Sequence, residues 1–555
     1  MEDRFTYNLL FLNCLHEILR VELIHITKIS PYMVHLRFIL ISLVLGSMLP
    51  GSAQDRVEIS SALIDDLGKV SFANSCTPMA QPALLKGLAQ LHSFQYAAAE
   101  KAFAEAPVAD PKCAMAYWGL AMTNYRQLWD GADEDALVRG RGYLEKIKKD
   151  WPLTPREREY IDALRNIFGD NRTLANGRII AYSQAMGELS KHYPDDGEAK
   201  AFYALSLLAL PEKGDDTELR KQVISILNKL SAAQPQHPGA VHYLIHAADT
   251  PELAPLGLEA ARRYAKIAPA SSHALHMPSH IFVRLGLWQE SIDCNQAAAI
   301  AAAQATQQHM GEAHYQFHAM DFLNYSYLQI GEEAKARQMI EDLNKIPGRT
   351  EDVTTNVRIN FTTRNLMELH RWKEALTLTP EGDAQDLQMI YLLRTVAAAR
   401  IGDTKAAEQN LKSLKSAFKQ DSSRDKSLEE YRRKIAESWL DFAKGKQNKA
   451  LKKMRAVADA QDRDDPGPFA VTAREMLADM LLELHQPALA LTEYEAVLKL
   501  APNRFNALYG AASASGMAGD SGKAKSYYSK LRDICPQQAD REELQRARAV
   551  AAGSN

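Results

Sequence analysis

The chain has 555 residues, with 66 Lys and Arg set against 69 Asp and Glu for a formal charge of −3. That length is too great for one compact core, so several domains or a repeat array are expected. The balanced charge, without a Lys/Arg-rich block, speaks against a nucleic-acid partner, and the composition is that of a soluble globular chain.

From the N-terminus, the one long apolar run is "FILISLVLGSML", residues 38–49, after His35 and Arg37 and before "PGSAQD". It is too short to span a bilayer and reads as the core of a signal peptide, 33–53, starting at Met33 and cut near Gly51 and Ala53. Residues 1–32 are then an upstream extension from an early start, and 54–79 a lead-in. The mature chain is expected to be periplasmic or secreted, with no stable membrane span. Of its four cysteines, Cys76 and Cys113 lie near the mature N-terminus and are candidates for a disulfide, with unpaired buried thiols as the alternative.

The next elements share a grammar of turns and small residues. Gly87, Ala99, Phe103 and Pro111 outline a first unit, followed by "CAMAYWGLAM". Residues 125–200 are hard to phase. Pro235 and Pro269 are 34 residues apart. Gly331 precedes Ala336 and Ile340, Gly402 precedes Ala407 and Leu411, and Gly445 precedes Ala450. At the C-terminus Pro502 and Pro536 are again 34 apart, with Ala490 and Tyr494 before the first, Ala524 and Tyr528 before the second, and Gly519 between helices. No strand-like alternation or Gly-rich phosphate loop occurs.

These landmarks resemble the tetratricopeptide (TPR) repeat over most of residues 80–540. The resemblance implies an all-α fold, a right-handed superhelical solenoid of TPR-type helix pairs, with the first helix of each pair on the concave side. We divide it into N-terminal repeats at 80–235, a His-rich centre at 236–347, C-terminal repeats at 348–540 and a tail at 541–555. The segments "HYLIHAAD" and "HMPSHIFVRLG" further resemble a group of exported TPR proteins that offers no activity to transfer.

Nine of the sixteen histidines lie between His237 and His318, where an even spread would place about two. In "PGAVHYLIHAAD" Val241, Leu244, Ile245 and Ala248 form an apolar stripe. His242, His246 and Asp249 fall within about 60° of one another beside it. The TPR resemblance puts these three on the groove. It does the same for His273, His276 and His280 one unit on, and for His318, Asp321 and Tyr325 counted back from Gly331, with His314 a turn earlier. Pro278 leaves two readings of "SSHALHMPSHIF": a helix that begins at Pro278 after an extended entry, or one kinked continuous helix capped by Ser271 or Ser272.

Ligands from successive first helices, roughly 9 to 10 Å apart, can converge on one ion or two. Imidazole suits copper, iron, zinc or nickel rather than calcium or magnesium. The candidate ligands are His242, His246, Asp249, His273, His276, His280, His314, His318 and Asp321, the aspartates acting either on the ion or by holding a histidine tautomer. Tyr325 is a candidate to orient a substrate. His92, His237, His309, His370 and His485 read as packed or solvated, and Trp118, Tyr125, Trp129 and Trp288 as core. Function is expected to be metal binding or metal-dependent chemistry on a substrate in the groove. The alternative is a non-catalytic module that takes a protein or peptide partner and serves envelope or nutrient (for example polysaccharide) uptake machinery.

Overall fold

In the computed structural model the described residues are 66–128, 132–169, 175–211, 216–308, 313–421, 426–465, 467–469 and 472–551, all within one unit spanning Leu63–Asn555. The expected signal segment and upstream extension, Trp129 and His309 lie outside them. From Gln81–His92 to Glu543–Ala551 the regular elements are helices, and the described residues contain no strand. Consecutive helices pack as antiparallel pairs, for example Pro238–Ala248 with Ala254–Ile267 and Phe505–Met517 with Ser521–Ile534, and each pair packs on the next. The fold is an all-α solenoid. No described helix is long and apolar enough to cross a membrane.

The turn inside each pair explains the glycine spacing. Gly331, Gly402, Gly445 and Gly519 all have φ between 72° and 84°. There the N–H of the following residue bonds a carbonyl five residues back, as Glu332 does to Tyr327 at 3.0 Å, closing the helix end with a left-handed residue. Phe94, His370 and His485 occupy the same place in other pairs with φ of 52°, 53° and 56°. Gln95, Arg371 and Gln486 then make the equivalent bonds to Gln90, Leu366 and Leu481. Two of the histidines set aside in sequence are thus turn residues.

Both ends of the array fold back onto its centre. Near the N-terminus Lys69 N–H donates to the Gln236 carbonyl, Ala270 N–H to the Asp66 carbonyl and Tyr264 Oη to Ser93 Oγ. Cys76 and Cys113 are joined by a disulfide across a sequence separation of 37. Near the C-terminus Trp288 Nε1 donates to the Asn503 carbonyl at 2.9 Å, and Phe505 N–H to Gln329 Oε1 at 2.9 Å. The Gly331 carbonyl receives the N–H groups of Asp540 and Arg541, the latter just ahead of the helix Glu543–Ala551. The central helices are thus packed against by the chain's own terminal units.

Candidate metal centre

The helix Pro238–Ala248 begins with Pro238 at its first position, and the His237 ring caps it by accepting the Ala240 N–H at 3.1 Å. A fixed start sets which residues face inward. His242 and His246 then lie one turn apart, with Nε2 atoms 3.1 Å from each other. The third partner comes from the next first helix. His273 presents Nε2 at 3.1 Å from that of His242.

At Pro278 the chain combines the two expected readings. Ser271 caps a short helix Ser272–His276 through the Ala274 N–H, and a second helix Pro278–Arg284 starts at the proline. Met277 between them is right-handed helical, φ −52° and ψ −34°. The backbone rotation continues through Met277, so His276 and His280 still meet as a pair one turn apart, Nε2 to Nε2 at 3.1 Å. His318, on Ala313–Gln329, completes this second set with ring centroids 4.4 Å from His276 and 5.8 Å from His280. In each trio the possible ligand atoms lie within 4.8 Å of one another.

Partners behind the rings decide the tautomers. His242 Nδ1 lies 2.6 Å from the His92 carbonyl, which can only accept, so Nδ1 carries the proton and the Nε2 lone pair points into the trio. His276 Nδ1 lies 2.6 Å from Asn295 Oδ1, whose amide orientation is fixed by Nδ2 donating to the Ser291 carbonyl at 2.8 Å. His280 Nδ1 donates to Asp249 Oδ2 at 2.8 Å. Asp249 is in turn held by Arg284, which donates Nε to its Oδ1 at 2.9 Å and a terminal N–H to Asp465 at 2.8 Å. The Asp249 carboxyl is half-buried, and its desolvation alone would raise its pKa, yet His280 and Arg284 hold it well below the usual carboxylate range. Asp249 is therefore the residue that orients His280.

Burial favours the neutral form of five of the rings. Desolvation, followed by the neighbouring imidazoles, pushes His242, His273 and His276 well below the ordinary histidine value, His246 down to about 3 and His318 to about 4. Each trio also has one phenylalanine packed on all three rings. Phe94 lies 4.5, 5.7 and 5.6 Å from His242, His246 and His273, and Phe322 lies 4.7, 4.8 and 5.3 Å from His276, His280 and His318. Neither phenylalanine stood out in the sequence. A left-handed non-glycine residue costs of order 1 kcal/mol, and at Phe94 it places a ring where a glycine would leave a hole.

Three expected members fall elsewhere. Asp321 is engaged by Arg364, whose guanidinium donates to Oδ1 at 2.6 Å, because the arginine on Glu351–Glu368 reaches it before any imidazole does. His314 lies outside both trios with its ring 4.0 Å from that of Tyr315, itself bonded through Oη to the Phe94 carbonyl. Tyr325 is 2 % exposed and accepts a bond from Arg504 at 2.6 Å, so it is part of the core rather than a substrate contact. Arg504 is also clamped by Glu475 at 2.7 Å and Glu368 at 2.6 Å.

A third group, His92, Glu198 and His237, is fully buried. His92 Nε2 meets Glu198 Oε2 at 2.6 Å and Nδ1 meets Tyr243 Oη at 2.8 Å, while His237 uses Nε2 toward Glu198 at 3.3 Å and Nδ1 at the helix cap. Burial opposes the Glu198 charge, but the two imidazoles hold its pKa low. Both His92 nitrogens and His237 Nδ1 are hydrogen-bonded by protein, whereas His237 Nε2 and Glu198 Oε1 lie 3.3 Å apart without a hydrogen bond. The group acts as a brace that fixes the carbonyl behind His242.

No family model matches the chain, and no curated protein matches it. Among solved structures it is similar to the human IFIT1 dimer with PPP-AAAA, at 11% identity over 88% of this chain and 96% of that one, with a TM-score of 0.34. It is also similar to the TPR domain of P58(IPK), at 14% identity over 65% and 99% with a TM-score of 0.20. A third likeness is to the APC/C hetero-tetramer Cut9-Hcn1, at 12% identity over 84% and 96% with a TM-score of 0.28. These likenesses carry nothing about function.

Proposed function

We propose that this chain binds transition-metal ions, copper, zinc or iron, in a partly buried centre made of His242, His246, His273, His276, His280 and His318, and that it does so as an exported protein. The observation that carries this is the pair His276 and His280. Both rings place Nδ1 on a fixed acceptor, so their Nε2 atoms face each other across 3.1 Å. Two bare lone pairs at that distance repel, so either a proton or a metal ion lies between them, and the convergence of a third imidazole, His318, favours the metal ion. A separation of 3.1 Å also matches two nitrogens bound at about 2.0–2.1 Å to one ion at an angle of about 95–102°.

Three imidazoles leave a fourth position open, the arrangement used where a metal activates water or takes a small ligand. The second reading, a scaffold for a protein or peptide partner, rests on the helical-repeat fold itself. Elemental analysis of untagged protein, stripped with chelator and re-exposed to copper, zinc and iron separately, tests the metal reading. Wild type is expected to retain at least one equivalent of ion, and His242→Ala/His276→Ala none. A wild type that retains nothing would return the protein to the scaffold reading.

A further inference from the structure

The two trios are successive copies of one repeat-encoded motif. His242 to His276 and His246 to His280 are each 34 residues apart, the same interval as Pro235 to Pro269. Within a first helix the three inward places follow a spacing of zero, three and seven. They read Gly239, His242, His246 in the first helix, then His273, His276, His280, then His318, Asp321, Tyr325. Each trio takes the second and third places of one helix and the first place of the next.

The series stops at both ends for visible reasons. Gly239 stands where a preceding trio would need its third histidine, and a Cβ there would come within 2.5 Å of His92 Nδ1, so the brace fills that space. At the other end Asp321 is taken by Arg364 and Tyr325 by Arg504. Two complete copies remain. Each has its own close Nε2 contacts at 3.1 Å, its own tautomer-fixing partners, and its own phenylalanine wall.

Resting on the metal reading above, we infer that the centre holds two ions rather than one, each on three imidazoles, related by a single step of the solenoid. Neighbouring helices in packed arrays sit about 8 to 10 Å apart. The possible ligand atoms group by trio, those of each set lying within 4.8 Å of one another. One bridging atom does not span such a step, so the ions behave as two mononuclear sites, each able to take its own small ligand. Six imidazoles exceed the four ligands that zinc or copper commonly takes, which a division into two sets of three resolves.

The test is stoichiometric. Chelator-stripped full-length chain is titrated with Cu(II) and, separately, Zn(II), and bound metal per chain is measured by mass spectrometry, with the Cu(II) spins integrated by electron paramagnetic resonance. Wild type is expected to bind two ions, with both copper spins visible. His246→Ala and His318→Ala, which touch different trios and are only half-buried, are each expected to bind one. His246→Asn and His318→Asn, checked by circular dichroism, serve where an alanine variant fails to fold. One ion in wild type, lost on either substitution, overturns the pair while leaving metal binding intact. No ion overturns the metal reading itself. Two ions whose spins are mutually silenced, or that survive both substitutions, overturn the repeat-spaced placement.

Discussion

Acidification should destabilise the metal-free protein earlier and more steeply than its carboxylates alone would allow. His242, His273 and His276 are at most 2 % exposed, and burial holds each neutral well below the ordinary histidine value. In the unfolded chain the same rings take up protons near pH 6.5. Below that pH the unfolded state binds more protons than the folded one, so stability is full above about 6.5 and falls as pH drops toward the depressed folded values. Each ring costs about 1.4 kcal/mol per pH unit over that window, hence about 4 kcal/mol per unit for the three. His246 and His318, depressed to about 3 and 4, act in the same direction. Glu475 and Asp479, raised by burial, act in the opposite one. Since a fold is commonly stable by only 5–15 kcal/mol, the thermal midpoint of chelator-stripped protein should fall markedly between pH 6.5 and 5. Added zinc should raise the midpoint at pH 7.5 and lose this effect as protons compete for the rings. A midpoint flat from pH 7.5 to 5 would refute the claim that the cluster is buried and neutral.

Other residues give sharper local tests. Asn295→Leu strips the acceptor behind His276, and zinc affinity at the second trio should fall about 10- to 100-fold while the first is unchanged, as read by competition with a chromophoric chelator. Phe94→Gly relieves the left-handed turn by about 1 kcal/mol but empties the wall of the first trio, a loss of about 3–5 kcal/mol, so the net thermal effect is destabilising. A neutral result would show that the ring does not pack as described. Arg504→Met leaves Glu368 and Glu475 uncompensated and should cost about 3–5 kcal/mol in denaturation measurements. Cys76→Ser removes a cross-link over 37 residues and should cost about 4 kcal/mol under non-reducing conditions.

Much of this was legible in the sequence. The 34-residue interval and the turn glycines set the helix pairs, and the repeat register places His242, His246, His276 and His280 on one side of successive helices. Repeat periodicity specifies such facts because it reports which face of each helix a residue occupies. It does not report which distant segment covers that face. Hence the brace of His92 and Glu198, which come from units far from His242 in sequence, was invisible, as was the phenylalanine over each trio. Asp321 and Tyr325 share the histidines' inward register and were grouped with them for that reason. Their arginine partners, Arg364 and Arg504, lie 43 and 179 residues away, and no local pattern connects them. The packing of the terminal units on the central helices has the same origin, since bonds such as Trp288 to Asn503 join units separated by 215 residues.

The central claim concerns what lies between the Nε2 atoms of the two trios, and X-ray absorption at the metal edge of copper- or zinc-loaded protein reads that shell directly. The expected spectrum shows about three nitrogen neighbours per ion at about 2.0 Å, with the outer-shell scattering of imidazole rings. A shell of sulfur, or of oxygen alone without imidazole scattering, would contradict it.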